Sequence, residues 1–158
     1  MKDTIVLVRV LGRKEIEAIL PHRGRMLLLD RVVIGTERII GEFTVTREVC
    51  EGHAVWDGEL VLKGSDLLDM SAQLLAVFLA SQCPQFLGRT CRLREYGGSK
   101  FKAPIRPSEK IIIEVAVVDI EVEEKTTVVF VTGTNFVVWD WKKEEIKAEI
   151  YGVKLIVA

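Results

Sequence analysis

The chain is short of the residues that mark several protein classes. Its 158 residues include three cysteines, Cys50, Cys83 and Cys91, an odd number at irregular spacing with no CxxC pair. That pattern argues against a disulfide framework or a zinc site, and the thiols read as ordinary buried side chains. Charge of one sign is missing too: 22 Lys and Arg against 23 Asp and Glu leave a net charge of -1. Nucleic-acid binding needs a basic excess, so none is expected. No apolar run could span a bilayer, and residues 1–10 are too short and too charged to be the apolar core of a signal peptide. A cytoplasmic protein with no membrane partner is therefore expected. Histidine is scarce too, at His22 and His53 alone.

What is present fits one domain over residues 1–158. A globule of this size buries roughly 70% of its unfolded surface, and 49% of the residues are hydrophobic. A short strand is expected over 4–11. Gly12 to Leu20 has apolar residues at helical spacing and is stopped by Pro21, which predicts a short amphipathic helix. Met26 to Val33 and Arg38 to Arg47 flank a Gly35-Thr36-Glu37 turn and predict a hairpin. Glu48 to Lys63 lacks a sustained period and reads as an irregular crossing loop.

Gly64 then opens a helix that runs to Cys83. Nearly every residue in it is apolar or small, with Ala72, Ala76 and Ala80 at four-residue spacing, so burial on most sides is expected. Four β-rich stretches follow: Arg89 to Lys102, Glu109 to Glu123, Thr126 to Val138 and Glu145 to Val157. Short turns join them. The predicted class is α+β, a long central helix wrapped by a curved antiparallel β-sheet. Trp139 and Trp141 flank Asp140 at a hairpin tip, either as a turn cluster or as part of an oligomer contact.

Two residues stand out chemically. His53 follows Gly52 in the crossing loop, and an imidazole can take or give a proton near neutral pH. A lone Gly-His in a loop is more often structural, however. Asp69 lies within the apolar helix among Leu67, Leu68, Met70 and Leu74, where an unpaired carboxyl costs several kcal/mol or takes up a proton. Asp66, nearer the helix start, reads as the partner of the helix dipole, leaving Asp69 as the functional acid. Gly64 has no side chain to keep a substrate from the free amides of the first turn, which can polarise a carbonyl oxygen. Gln73, one turn past Asp69, is placed to orient that carboxyl or a water. His22, just after Pro21, reads as structural.

Several segments carry a family resemblance. Leu20-Pro21-His22-Arg23, followed by Met26 to Val32, resembles the LPHRxPxLLxDRV opening of the FabA/FabZ family of 3-hydroxyacyl-ACP dehydratases. Glu51-Gly52-His53 is similar to the family's QGHFPG, and Gly58 through Asp69 to GxPVMPGVLIVE. Met70 to Gln73 resembles AMAQ, and Lys100 to Glu109 resembles KFKRPVxPGD. The resemblance implies a hotdog fold and a homodimer, which can assemble further as a trimer of dimers. It implies that His53 of one subunit removes the proton beside a thioester, that Asp69 of the other assists the leaving hydroxyl, and that the Gly64 amide holds the thioester oxygen. It implies no metal or organic cofactor.

The substrate implied is an acyl chain on acyl carrier protein, or on coenzyme A, lying in an apolar tunnel along the helix. Arg94, Lys100, Lys102 and Arg106 could meet the acidic carrier, or be solvated surface. Ala54 to Asp57 replaces the family's Phe-Pro pair, adding two residues and placing the bulky Trp56 beside the site. Two other readings stand beside the dehydratase. One is a hotdog acyl thioesterase; the other is a non-catalytic hotdog protein that binds acyl carriers.

Overall fold

The computed structural model describes residues 7–116, 118–123, 125 and 128–158. Residues 4–6 of the expected first strand, and Thr126 and Thr127 of a later one, lie outside the described residues. The chain begins with strand β1 (Leu7–Leu11) and helix α1 (Arg13–Ile19). A hairpin follows, β2 (Arg31–Gly35) and β3 (Ile39–Thr44). Next come the one-turn helix α2 (Arg47–Cys50) and two very short strands, β4 (Val55–Trp56) and β5 (Glu59–Leu60). The long helix α3 spans Gly64–Gln82. The second half supplies β6 (Cys91–Glu95), β7 (Gly98–Phe101), β8 (Lys110–Val115), β9 (Val118–Glu123), β10 (Val128–Asp140) and β11 (Ile146–Val157).

Nine of these strands form one antiparallel sheet in the order β1-β2-β3-β8-β10-β11-β6, with β9 also on β10 and β7 also on β11. Helix α3 packs on it, meeting β3, β10 and β11. Its inner face buries Leu67, Met70, Leu74, Leu75, Val77 and Leu79 against Ile113, Val131, Phe136, Val138 and Ile150. Each such side chain contributes about 1.5–3 kcal/mol on burial. One long helix on a large antiparallel sheet is the predicted α+β hotdog arrangement.

The structure redraws several expected boundaries. The strand expected from Met26 begins only at Arg31, because a 3-10 turn covers Gly24–Met26 and the leucines after it are drawn onto α3. Gln73 does the drawing: its Oε1 accepts from Leu28 N at 2.9 Å and its Nε2 donates to Met26 O at 2.8 Å. The strand expected to reach Arg47 stops at Thr44, since Thr46 Oγ1 accepts from Val49 N and starts α2. The two long strands expected at 89–102 and 109–123 are each broken in two. Their halves still share a neighbour, β6 and β7 on β11, β8 and β9 on β10.

The crossing loop is also more ordered than its sequence suggested. Val55 pairs with Leu60 and Trp56 with Glu59 around an Asp57-Gly58 turn, both turn residues having positive φ, 50 and 75. Asp-Gly is the favoured pair for a two-residue hairpin turn, because both positions must be left-handed. At the far hairpin tip each tryptophan meets a side chain of β8. Trp139 Nε1 donates to Glu114 Oε1 at 2.9 Å, and Lys110 Nζ lies 3.6 Å above the Trp141 ring. Of the cysteines, Cys50 is buried, but Cys91 is exposed, which corrects the expectation of three buried thiols.

Gln73 is 3% exposed, and its amide serves two backbone groups. Gln73→Leu keeps the volume but leaves Leu28 N–H and Met26 C=O without partners, and should destabilise the fold by about 2 kcal/mol or more. Chemical denaturation measures this, and an unchanged midpoint would contradict the assignment.

Candidate active site

His53 is placed by the turn after α2. Gly52 takes φ 79, and the imidazole Nδ1 lies 3.2 Å from Val61 O. A carbonyl oxygen only accepts, so Nδ1 donates in this contact, and in the neutral ring Nε2 is then the nitrogen with the lone pair. In the single chain His53 is exposed. A neutral ring held this way has its tautomer fixed and its Nε2 open to solvent.

Asp69 differs from expectation in its surroundings. It is exposed, not buried, because it faces away from the sheet while its neighbours Leu67 and Met70 face inward. It lines a cavity of about 420 Å³. Below it along α3 run Ala72, Ala76 and Ala80, small residues that leave the groove open, and the walls include Ile19, Leu20, Phe86 and Leu155. Gln73 lines the same cavity but is bonded to Met26 and Leu28, and no bond joins it to Asp69. In the single chain its amide fixes the wall.

His22, read from sequence as structural, also lines this cavity. Arg23 holds the turn that carries it, donating to Leu20 O and His22 O at 2.7 Å and to Glu17 O at 2.8 Å. Burial pushes the His22 imidazole below its ordinary value; the Asp69 carboxylate opposes the shift and the Arg23 guanidinium adds to it. Its Nδ1 is buried without a hydrogen-bond partner. The sequence signal for this placement was its position directly after a helix stop, which says nothing about what the ring faces.

Gly64 and Trp56 belong to a second cavity, of about 330 Å³, on the other side of the helix start, with Leu67, Phe101 and Ile105. A Cβ on Gly64 would stand 2.5 Å from Phe101 Cζ, so the missing side chain makes room for that ring. Lys63 supplies no side-chain cap to the helix. Trp56 is 59% exposed, held on the β4–β5 hairpin, which Arg106 ties down through a 2.5 Å contact with Glu59. Lys102 is likewise engaged, 3.4 Å from Glu149, whereas Arg94 and Lys100 are exposed. The single chain therefore brings Asp69, Gln73 and His22 together, and Gly64 with Trp56, but places His53 in neither cavity.

The second acid, Asp66, has the less exposed environment. Its side chain is 13% exposed, Lys63 Nζ lies 3.8 Å from Oδ1, and Oδ2 is buried without a hydrogen bond. Burial pushes this carboxyl above the usual carboxylate range; Lys63 opposes the shift, Asp69 adds to it and His53 opposes it. The sequence argument assigned the unfavourable environment to Asp69, and the structure gives it to Asp66. Among the described residues no three His, Cys, Asp or Glu side chains are grouped to hold a metal ion, and no helix is long and apolar enough to cross a membrane.

No family model matches the chain. The fold places it in a class: a solved chain of the dehydratase heterocomplex ApeI:P from Xenorhabdus doucetiae superposes with a TM-score of 0.63 over 90% of both chains, at 14% identity. A sigma28-regulated virulence protein from Campylobacter jejuni gives a TM-score of 0.57 over 92% of this chain and 89% of that one, at 12% identity. Both are likenesses of hotdog fold alone. Sequence relatives go further. The 3-hydroxyacyl-(acyl-carrier-protein) dehydratase FabZ of Enterococcus faecalis is 39% identical over 105 residues, 64% of this chain and 72% of that one. FabZ of Latilactobacillus sakei is 38% identical over 113 residues, 67% of this chain and 76% of that one. The chain belongs to the FabZ dehydratase family.

The raised Asp66 carboxyl has a consequence for stability. Where the folded state lifts a group above its unfolded value, the associated stabilisation is complete below the unfolded value and is lost as pH rises through the folded one. Asp66→Asn cannot titrate there. Its thermal midpoint minus that of the wild type should increase from about pH 4 to about pH 8; a difference that stays constant would show that the carboxyl is not raised.

Proposed function

We propose that this chain dehydrates 3-hydroxyacyl thioesters, carried on acyl carrier protein, to trans-2-enoyl thioesters. The observation that carries the reading is the cavity along α3, lined by the exposed Asp69, by Ala72, Ala76 and Ala80, and by apolar side chains. An acyl chain fits such a groove, and Asp69 supplies a carboxyl in its lining. His53 Nε2 removes the proton on the carbon beside the thioester. Asp69 assists departure of the 3-hydroxyl as water, and the Gly64 amide polarises the thioester oxygen. The proton-accepting nitrogen follows from the Nδ1 contact with Val61 O.

The reading requires a homodimer, in which His53 of one chain meets Asp69 of the other. The separation of the two residues within one chain supports it, and so does the sheet edge. Among the described residues, strands β6 and β7 pair only with β11, and Leu93, Tyr96 and Phe101 on and between them are 47%, 42% and 56% exposed. An unpaired edge with exposed apolar side chains is a template for pairing, and a twofold axis would satisfy it with a second copy. Arg94 and Lys100 on the same strands are exposed, and so suit the acidic carrier.

The reverse reaction tests this directly. With a short enoyl thioester, loss of enoyl absorbance and release of free thiol are followed in parallel. Hydration without thiol release is expected, and His53→Ala and Asp69→Asn should each slow it by roughly a hundred- to ten-thousand-fold while leaving the fold intact. Thiol release without hydration would replace the dehydratase with an acyl thioesterase.

A further inference from the structure

The cavity beside the helix start carries two rings that the stability of the domain does not call for. Trp56 and Phe101 line it and are 59% and 56% exposed, and large rings left bare at the rim of a concave apolar site mark a place where a ligand packs. Trp56 belongs to the segment Ala54 to Asp57, which stands where the family motif has Phe-Pro and is two residues longer. That segment turns into the β4–β5 hairpin, which Arg106 ties to the chain after β7 through Glu59. Phe101 lies over Gly64: its Cζ, Cε2 and Cε1 stand 2.5, 2.7 and 2.9 Å from where a Cβ would be. Backbone donors of the wall are already engaged, Leu62 N with Ile105 O at 2.8 Å, and Lys102 N and Ala103 N with Lys147 O at 2.9 and 3.2 Å. The cavity therefore offers ring and aliphatic surface, and among the described residues its one charged wall residue is Lys102.

We propose that Trp56 and Phe101 clamp the sulfur-side arm of the thioester, and that this chain is thereby selective for substrates with the full pantetheine arm. The inference rests on the dehydratase reading, with the thioester oxygen at the Gly64 amide. A thioester carbonyl has two arms that leave in different directions, the acyl chain on one side and the sulfur with its carrier on the other. The acyl arm takes the groove lined by Asp69, which among the described residues shares no wall residue with the cavity at Gly64. The sulfur arm is left with that cavity. Its wall includes Val61, whose carbonyl oxygen lies 3.2 Å from His53 Nδ1, so the cavity adjoins the segment that holds the base as well as the Gly64 amide. About 330 Å³ gives room for a slender uncharged chain, and walls without free donors recognise such a chain by packing.

Two substrates that differ only in arm length test this. A butenoyl group is carried on pantetheine or on N-acetylcysteamine, which keeps only the sulfur end of the arm, and hydration is followed with each. In Trp56→Ala and in Phe101→Ala the ratio of kcat/KM for the long arm to that for the short one is expected to fall by about tenfold, mainly through KM for the long arm. Trp56→Phe, which keeps a ring, should restore much of the ratio. Binding without turnover gives a second readout: free pantetheine should quench a part of the tryptophan emission that Trp56→Phe lacks. A ratio unchanged in both alanine variants overturns this inference alone. So does a Trp56 emission that responds to protein concentration and not to pantetheine, which would assign the two rings to a second copy of the chain. A wild type that hydrates neither substrate overturns the dehydratase reading and this inference with it.

Discussion

The packing of α3 on the sheet is the constraint from which the rest follows. Leu67, Met70, Leu74, Leu75 and Leu79 commit one face of the helix to β3, β10 and β11. Helical periodicity then decides where everything else on α3 points. Asp69, Ala72, Ala76 and Ala80 fall on a face away from the sheet and line the groove, so the acid and the apolar floor are positioned by the same burial that stabilises the domain. Gln73 lies between the two faces and uses its amide to bring the segment after His22 against the helix. Stability and site share one scaffold.

The family motifs take on distinct physical roles in this setting. Arg23 closes the end of α1 and fixes His22 at the cavity wall. Asp30 joins Arg13 at 2.8 Å and accepts from Thr44 N at 2.7 Å, which ties α1 to the first hairpin. These are holding contacts. The features that break local rules gather instead around the helix start: an underpartnered Asp66, a glycine covered by an exposed phenylalanine, and a tryptophan displayed on a two-residue hairpin. Departures of this kind are expected where function competes with stability.

Much of the fold was legible in the sequence because its signals are local. The apolar period of α3, the stop at Pro21 and the β-rich second half each announce an element without reference to the rest. Burial of individual side chains was less legible, since it depends on which helix face meets the sheet. Asp69, with Leu68 and Met70 beside it, looked buried and is exposed, whereas Asp66, three residues earlier, looked like a partner of the helix dipole and its side chain is largely covered. Strand ends were misplaced where a side chain captured the backbone, as Gln73 does at Leu28 and Thr46 at Val49. The Asp57-Gly58 hairpin carried a clear turn signal that the absence of a long flanking period obscured.

On this account the catalytic pair is split between two chains, and mixing experiments address that claim most directly. His53→Ala and Asp69→Asn proteins, each inactive alone, are unfolded together, refolded in equal amounts and assayed for enoyl thioester hydration. Half of the dimers then join one chain of each kind, and in each of these one site has both an intact His53 and an intact Asp69. Recovery of about a quarter of wild-type activity is predicted from this twofold arithmetic. No recovery above the separate variants, with mixed dimers shown to be present, would place both residues of the pair in a single chain and contradict the account.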